Sequence, residues 1–260
     1  MSSRDPSYSQ FREDKILDNI FLNKVGRCVE VGANDGITGS TTYYFEKKGW
    51  KCVLVEPVPK LCDRIRQFRS AFVFECAASS DSGEAVFYVA EAAESLSTFS
   101  LTAPLQKQIE EEKGKILEIR VRKRTLDGIL DEVGISEIDF ITIDVEGHEL
   151  EVLRGFSLAR HRPRIVIVED NSDQADISIR SYMEQNGYKA FLRTGVNDWY
   201  AATNDMITSP GSIMRLEKEK KRYEFEDKII TKFSFLNDMI PDSMKVILRM
   251  MLRKFSMCVK

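Results

Sequence analysis

At 260 residues, with 43% hydrophobic and 10% aromatic residues, the chain suits one α/β domain with appendages and can bury a full core. Its 38 basic and 41 acidic residues leave a net charge of −3, so no global field favours nucleic acid. No run approaches the ~20 apolar residues of a membrane span; the polar opening Met1-Ser2-Ser3-Arg4-Asp5-Pro6 lacks a signal-peptide core, and Cys28, Cys52, Cys62, Cys76 and Cys258, with no Cys-x-x-Cys among them, read as buried free thiols of a cytoplasmic protein.

The first element is a short helix over 13–23, whose apolar face carries Ile16, Leu17, Ile20 and Phe21. An apolar run at 28–31 then feeds the turn Val31-Gly32-Ala33-Asn34-Asp35-Gly36. A helix follows over 41–48, and a second apolar run, 52–55, ends in Glu56, twenty residues after Gly36. Strand, glycine turn, helix, strand and acid are the parts of a nucleoside-binding α/β unit. The glycines let a ligand approach the backbone, and an acid at the tip of the second strand can accept both ribose hydroxyls. The spacing is Glu-x-Gly-x-x-x-Gly, not Gly-x-Gly-x-x-Gly. It leans away from a pyrophosphate and toward S-adenosylmethionine (SAM), with Glu30 placed toward the cofactor's amino-acid end. Asn34 and Asp35 either contact that moiety or stabilise the turn.

The alternation continues with a helix at 60–68 and a strand at 72–76. Residues 83–124 break it. Segments 85–89 and 117–122 alternate as strands around a Ser/Thr-bearing loop, 94–102, and a charged stretch, 106–115. This is an insertion at the edge of the sheet, and loops of such length commonly act as substrate lids. The rhythm resumes with a helix at 126–133 and a buried strand at 138–143, followed by Asp144-Val145-Glu146-Gly147-His148-Glu149. A helix over 149–156, a strand over 164–168 and a helix over 175–185 come next, then a closing pair at 188–192 and 197–201. Alternating strands and helices imply a parallel sheet with helices on both faces, and such sheets bind ligands at the carboxyl ends of their strands.

The tail differs in composition. Residues 215–227 form a charge-dense solvated helix. In 243–255 the residues Met244, Ile247, Leu248, Met251, Leu252 and Phe255 share one helical face, with Lys245, Arg249, Arg253 and Lys254 elsewhere. Such a helix suits peripheral docking on an anionic inner-membrane surface. Val246 and Met250 widen the stripe, which favours packing on the domain or in a homo-oligomer.

The segments Val29–Gly36, Val55-Glu56-Pro57, Thr125-Leu126-Asp127 and Ile143–Glu149, with the lead-in Tyr8–Asp14, resemble the FkbM family of SAM-dependent methyltransferases. The resemblance covers residues 8–199 and is specific in order and spacing. It implies a class I methyltransferase (Rossmann-like) fold: a seven-stranded, mostly parallel sheet with an antiparallel last strand. It also implies O-methylation of a glycan, glycolipid or related small-molecule hydroxyl. The expected organisation is a helical lead-in at 1–26, a SAM-binding domain at 27–203 with the 83–124 insertion, and a helical tail at 204–260. The expected cofactor-binding residues are Glu30, Gly32, Asn34, Asp35, Gly36, Glu56, Ala77 and Asp144, with Ala77 and Ala78 flanking the adenine.

Methyl transfer from a sulfonium needs an in-line geometry and removal of the acceptor's proton. Asp144, Glu146 and His148 are the catalytic candidates at the fourth strand end, His148 because imidazole titrates near neutrality. His161, among Arg160, Arg162 and Pro163, reads as structural or solvated. Glu169-Asp170-Asn171 joins Asp144 in an oxygen-rich group that a hard divalent cation could use; loop polarity and substrate hydrogen bonds account for it as well, and no metal ligand is assigned. Two other readings compete. A nicotinamide-type nucleotide-binding protein needs a phosphate turn that Gly32–Gly36 does not provide. A non-catalytic Rossmann-like module predicts loss of acids at the site, whereas Glu30, Glu56, Asp144 and Glu146 are all present.

Overall fold

Helix α1 (Glu13–Phe21) leads into β1 (Arg27–Val31), and the chain then alternates: α2 (Thr42–Glu46), β2 (Lys51–Glu56), α3 (Pro59–Phe68), β3 (Phe72–Glu75). A second, smaller set of strands follows: β4 (Ala77–Ala78), β5 (Gly83–Ala90) and β6 (Ile116–Arg124). The main rhythm returns with α4 (Leu126–Glu132), β7 (Phe140–Ile143), α5 (Glu149–Arg154), α6 (Leu158–His161), β8 (Ile165–Glu169), α7 (Ser178–Gln185), β9 (Tyr188–Thr194), β10 (Asn197–Ala202) and α8 (Pro210–Asn237). This computed structural model describes residues 6–22, 24–90, 97–99, 106–107, 115–172 and 174–237. The chain divides within α8 into a first unit, Met1–Glu217, and a second, Lys218–Lys260; the sheet and everything below lie in the first.

The seven-stranded sheet has the order β3-β2-β1-β7-β8-β10-β9. Its first five strands are parallel, and β10 runs antiparallel to both neighbours. This is the class I methyltransferase fold. The central strands are largely apolar because both faces are covered, with Glu30 in β1 and Thr142 in β7 as polar interruptions. Alternate residues serve opposite faces. Val29, Val31, Val53, Val55, Ile141, Ile143, Val166 and Val168 pack against Leu126, Ile129 and Leu130 of α4, Val152 and Leu153 of α5 and Met183 of α7. On the other face Phe21, Phe45, Trp50 and Phe140 pack edge-to-face or tilted, with ring centroids 4.8–5.9 Å apart, and Leu54 meets Ile65 of α3.

That second face carries the site. Glu30 on β1 pairs in register with Thr142 on β7, which pairs with Ile167 on β8. One pleat further on lie Asp144 and Glu169, with Asn197 as the register partner of Glu169.

Several boundaries differ from the sequence reading. The expected strand at 72–76 ends at Glu75, because the chain then crosses to a separate sheet of order β4-β6-β5. The expected helix at 149–156 stops at Arg154, and Leu158–His161 starts a further turn of helix. Its last residue, His161, is not in a surface turn. It is fully buried, stacked 5.3 Å from Phe156 and hydrogen-bonded to Ser136 O at 3.0 Å and Asp127 at 3.1 Å. The centre of the proposed lid and the helix expected at 243–255 lie outside the described residues. Among those described, no helix is long and apolar enough to cross a membrane.

Candidate active site

A cavity of about 1270 Å³ opens at the carboxyl ends of β1, β2, β7 and β8. The turn after β1 forms one wall. Gly32 (φ +83°) and Ala33 donate their N–H groups to Val55 O at 3.0 and 3.2 Å, which ties the turn to β2. A Cβ on Gly32 would sit 1.7 Å from Asp144 O. The glycine is therefore required by backbone packed on backbone, as well as by its positive φ. Asn34 is also left-handed (φ +48°), and its N–H donates to Glu56 Oε2 at 2.9 Å.

The expected site residues separate here. Gly32, Asn34, Glu30, Glu56, Ala77, Asp144 and Glu146 line the cavity; Asp35, Gly36 and His148 do not. Asp35 caps its own turn, accepting from Ile37 N, Thr38 N and the Thr38 hydroxyl at 2.7–2.9 Å. Burial alone would raise its pKa; those hydrogen bonds outweigh it and hold the carboxyl below its ordinary range. Gly36 packs on α3, where a Cβ would stand 2.9 Å from Ile65.

Glu30 faces the cavity but is largely engaged elsewhere. It accepts from the Ser40 hydroxyl (2.7 Å), Thr41 N (2.8 Å) and the Thr42 hydroxyl (2.6 Å). Buried Arg69 donates to Gly36 O, to the same two hydroxyls and to Glu46. Glu30 thus fixes the start of α2 to β1. Glu56, 5% exposed, takes one backbone N–H on each oxygen, from Asn34 and Val58 at 2.9 Å, and stays at the cavity wall. Cys76, Ala77 and Ala78 supply a small-residue stretch beside it.

The far wall is acidic. Asp144 follows the last residue of β7, and Glu146 comes two residues later in the left-handed region (φ +54°), an uncommon state for a residue with a side chain. The loop is braced from both sides. Glu149 accepts from Val145 N (3.2 Å) and Gly147 N (3.0 Å), and the Thr98 hydroxyl of the insertion donates to Glu146 O (2.9 Å). With Glu169 at the tip of β8, three carboxylates bring oxygens within 4.8 Å of one another.

Burial and, after it, nearby carboxylates hold all three toward their neutral forms. Asp144 lines the cavity and is solvent-exposed; desolvation raises its pKa, against a hydrogen bond from Glu169, and the Glu30 charge adds to the rise. Glu146 is pushed up to about 7 by burial, then by Asp144 and Glu149. Glu169 is pushed up to about 9 by burial, then by Asp144, Glu146 and Glu149.

His148 stands outside the cavity. Its Nε2 lies 3.2 Å from Ser79 Oγ, and its ring lies 4.5 Å from that of Phe99; burial first of all lowers its pKa. Asp170, expected beside Asp144, turns away to accept from Ser172 and to pair with Arg193. Conversely, the sequence reading missed the lead-in as a wall. Tyr8, Gln10, Phe11 and Glu13 all line the cavity. Glu13 accepts from Thr194 and Asn197 across the fold, at 2.9 and 3.0 Å, and Phe11 lies where a Cβ on Gly195 would be 2.3 Å away. Neither contact leaves a local signal in the chain.

The family profile described as the Methyltransferase FkbM domain matches residues 30–190. The chain belongs to the FkbM methyltransferase family. Solved structures similar to this FkbM-family chain include methyltransferase FkbM from Methylobacillus flagellatus, at 17% identity and TM-score 0.45, covering 68% of this chain and 43% of that one. Others are an O-methyltransferase from Bacillus cereus in complex with SAH (15% identity, TM-score 0.39, covering 75% and 81%) and a precorrin-6y C5,15-methyltransferase from Geobacter metallireducens (10%, 0.41, covering 77% and 90%). The chain thus spans less than half of the Methylobacillus protein. No curated protein matches it in sequence.

Proposed function

We propose that this FkbM-family chain is a SAM-dependent O-methyltransferase acting on a hydroxyl of a glycan, glycolipid or related small molecule. The observation that carries the reading is Glu146, a cavity-facing carboxylate whose pKa sits at about 7. A general base is most effective when its pKa lies near the working pH.

The residues fit the cofactor. Ligand cavities commonly measure roughly 300–1,000 Å³, so about 1270 Å³ has room for a nucleoside cofactor and an acceptor together. Glu56 is placed to accept ribose hydroxyls, the Gly32–Asn34 backbone borders the cofactor, and Ala77 and Ala78 leave space for a flat base. Among the described residues no Lys, Arg or His lines the cavity. That composition speaks against a dinucleotide, whose pyrophosphate favours cationic partners.

When bound, the sulfonium supplies the electrophilic methyl group. The chain's own residues position the acceptor and take its proton. Glu146, in its ionised form, accepts the proton of the acceptor hydroxyl on a carboxylate oxygen. Glu169 stays protonated at neutral pH and donates to Asp144, which keeps that pair at a single negative charge. The braces from Glu149 and Thr98 hold the Glu146 loop, and the lead-in residues Tyr8 and Phe11 keep water away.

The test is thermal denaturation and calorimetry with SAM, S-adenosylhomocysteine and NAD. A ligand at 100 times its dissociation constant stabilises by ~2.7 kcal/mol. Stabilisation by SAM and its product, but not by NAD, is expected, followed by transfer of labelled methyl to polyol or glycan acceptors. Binding of NAD alone would sink the proposal.

A further inference from the structure

Two buried carboxylates hold the lead-in against the cavity. Asp14, fully buried, accepts from the Ser7 hydroxyl (2.6 Å), Tyr8 N (2.8 Å) and the Ser9 hydroxyl (3.0 Å). Glu13, also fully buried, accepts from Phe11 N (2.8 Å) on one oxygen and from Thr194 and Asn197 on the other. Ser9 forms a parallel bridge with Gly39, in the loop that leads to α2. Taking carboxylates out of water is unfavourable unless such hydrogen bonds offset it. Together they fix the backbone on both sides of Gln10. The Gln10 side chain is exposed and lines the cavity, and its amide has no hydrogen-bond partner among the described residues.

A second polar side chain at this end of the cavity is equally unengaged. Thr41 lines the cavity at the start of α2; its N–H donates to Glu30, while its hydroxyl has no partner among the described residues. Gln10 and Thr41 stand on two segments that the Ser9–Gly39 bridge ties together.

The charge of the cavity decides what they fit. Its wall carries Glu13, Glu30, Glu56, Asp144, Glu146 and Glu169 and, among the described residues, no Lys, Arg or His. Such a wall suits an ammonium or a sulfonium and repels a carboxylate. The amino-acid arm of SAM ends in both an ammonium and a carboxylate. With the ribose at Glu56 and the base at Ala77 and Ala78, that arm extends the other way along the wall, past Gly32 toward residues 38–41 and the lead-in. Glu30, expected at that end, already accepts from Ser40, Thr41 and Thr42. The carboxylate of the arm therefore needs neutral donors, and the Gln10 amide and the Thr41 hydroxyl are unengaged donors on that wall.

We propose that Gln10 and Thr41 bind the carboxylate of the cofactor's amino-acid arm, which makes the lead-in a part of the cofactor site as well as its cover. The assignment rests on the SAM reading above. Both contacts are charge-assisted hydrogen bonds, and neither residue takes part in the proton transfer.

The experiment is calorimetry of the full chain with S-adenosylhomocysteine and with methylthioadenosine, which keeps the nucleoside and the sulfur but lacks the amino-acid arm. In Gln10→Ala the affinity for S-adenosylhomocysteine should fall about tenfold, the size of one hydrogen bond to a charged group, while that for methylthioadenosine holds. Thr41→Val should show the same pattern. Gln10→Glu, which turns a carboxylate toward the carboxylate of the arm, should show a larger loss. Gln10 is exposed, so its variants remove no buried side chain. Equal losses for both ligands would mean that the variants disturb the lead-in as a whole. Unchanged affinity for S-adenosylhomocysteine, or tighter binding in Gln10→Glu, would place the carboxylate elsewhere. Each of these results overturns the assignment and leaves the SAM reading standing. A parent chain that binds neither ligand would overturn both.

Discussion

Replacing Glu169 by Gln should make the protein more stable at neutral pH and flatten its pH dependence. Glu169 is 8% exposed, and its pKa rises from an ordinary 4.5 to about 9, mainly through burial and then through Asp144. Between those values the folded chain keeps a proton that the unfolded chain has released. The native state's advantage is therefore whole below pH 4.5 and is lost as pH rises toward 9. At pH 7 the difference from 4.5, at 1.36 kcal/mol per unit, amounts to about 3 kcal/mol. Glutamine cannot ionise, and its amide can still donate to Asp144. The variant should gain up to about 3 kcal/mol at pH 7, or roughly 6–12 °C at the 2–4 °C per kcal/mol of a chain this size. Urea denaturation at pH 5 to 9 measures it. Parent and variant curves that run parallel across that range would refute the reasoning.

Glu56→Ala should lower SAM affinity by an order of magnitude or more, since hydrogen bonds to a charged acceptor contribute ~1.5–3 kcal/mol each; unchanged calorimetric affinity would remove Glu56 from the cofactor site. The same variant frees Asn34 N and Val58 N, so a modest loss of stability accompanies it. Gly32→Val should fail to fold rather than merely fail to bind, because its Cβ would overlap Asp144 O; a cooperative melt at the parent's temperature would contradict this packing. Glu146→Gln should cut turnover by 10²–10⁴-fold, the usual contribution of a general base, while SAM affinity holds; equal losses would move Glu146 from catalysis to binding. Asp127→Ala should destabilise without touching the site chemistry, since Asp127 joins buried His161 to Ser157 N; a lower melting temperature with unchanged SAM affinity checks it.

Much of the sheet was legible because its central strands are covered on both faces and so read as apolar runs at 52–55 and 165–168, and at 28–31 with Glu30 as the one polar interruption. The glycine turn and Glu56 were legible because positive φ and a strand-tip acid are local requirements. Four of the five cysteines were legible by composition: Cys28, Cys52, Cys62 and Cys76 are buried and free, and burial pushes Cys62 up to about 12 and Cys76 to about 11, while Cys258 lies outside the described residues. Side-chain direction was not legible. Asp35 and His148 lie at the right places along the chain, but one turns into its own loop and the other toward Ser79. The cover formed by Tyr8 and Phe11 depends on contacts nearly the whole domain apart, such as Glu13 with Thr194, and sequence periodicity carries no trace of them.

The acids around the cavity divide by what their oxygens already hold. Glu13, Glu30, Asp35, Glu56 and Glu149 each accept at least one backbone N–H, and each secures a turn or a helix start. Backbone donors favour the charged form, and in Asp35 they outweigh burial, whereas burial still raises the pKa of Glu13 and Glu149. Glu56 secures its turn and still borders the cavity, with one backbone N–H on each oxygen. Asp144, Glu146 and Glu169 have no such backbone donor among the described residues, and they are the three that crowd within 4.8 Å. Their charge is left to be compensated by whatever enters the cavity: a proton, a cation, or the polar groups of an acceptor. Of these three, Glu146 is held in the left-handed region by Glu149 and Thr98, an uncommon backbone state for a residue with a side chain, and it is the acid our proposal makes the base.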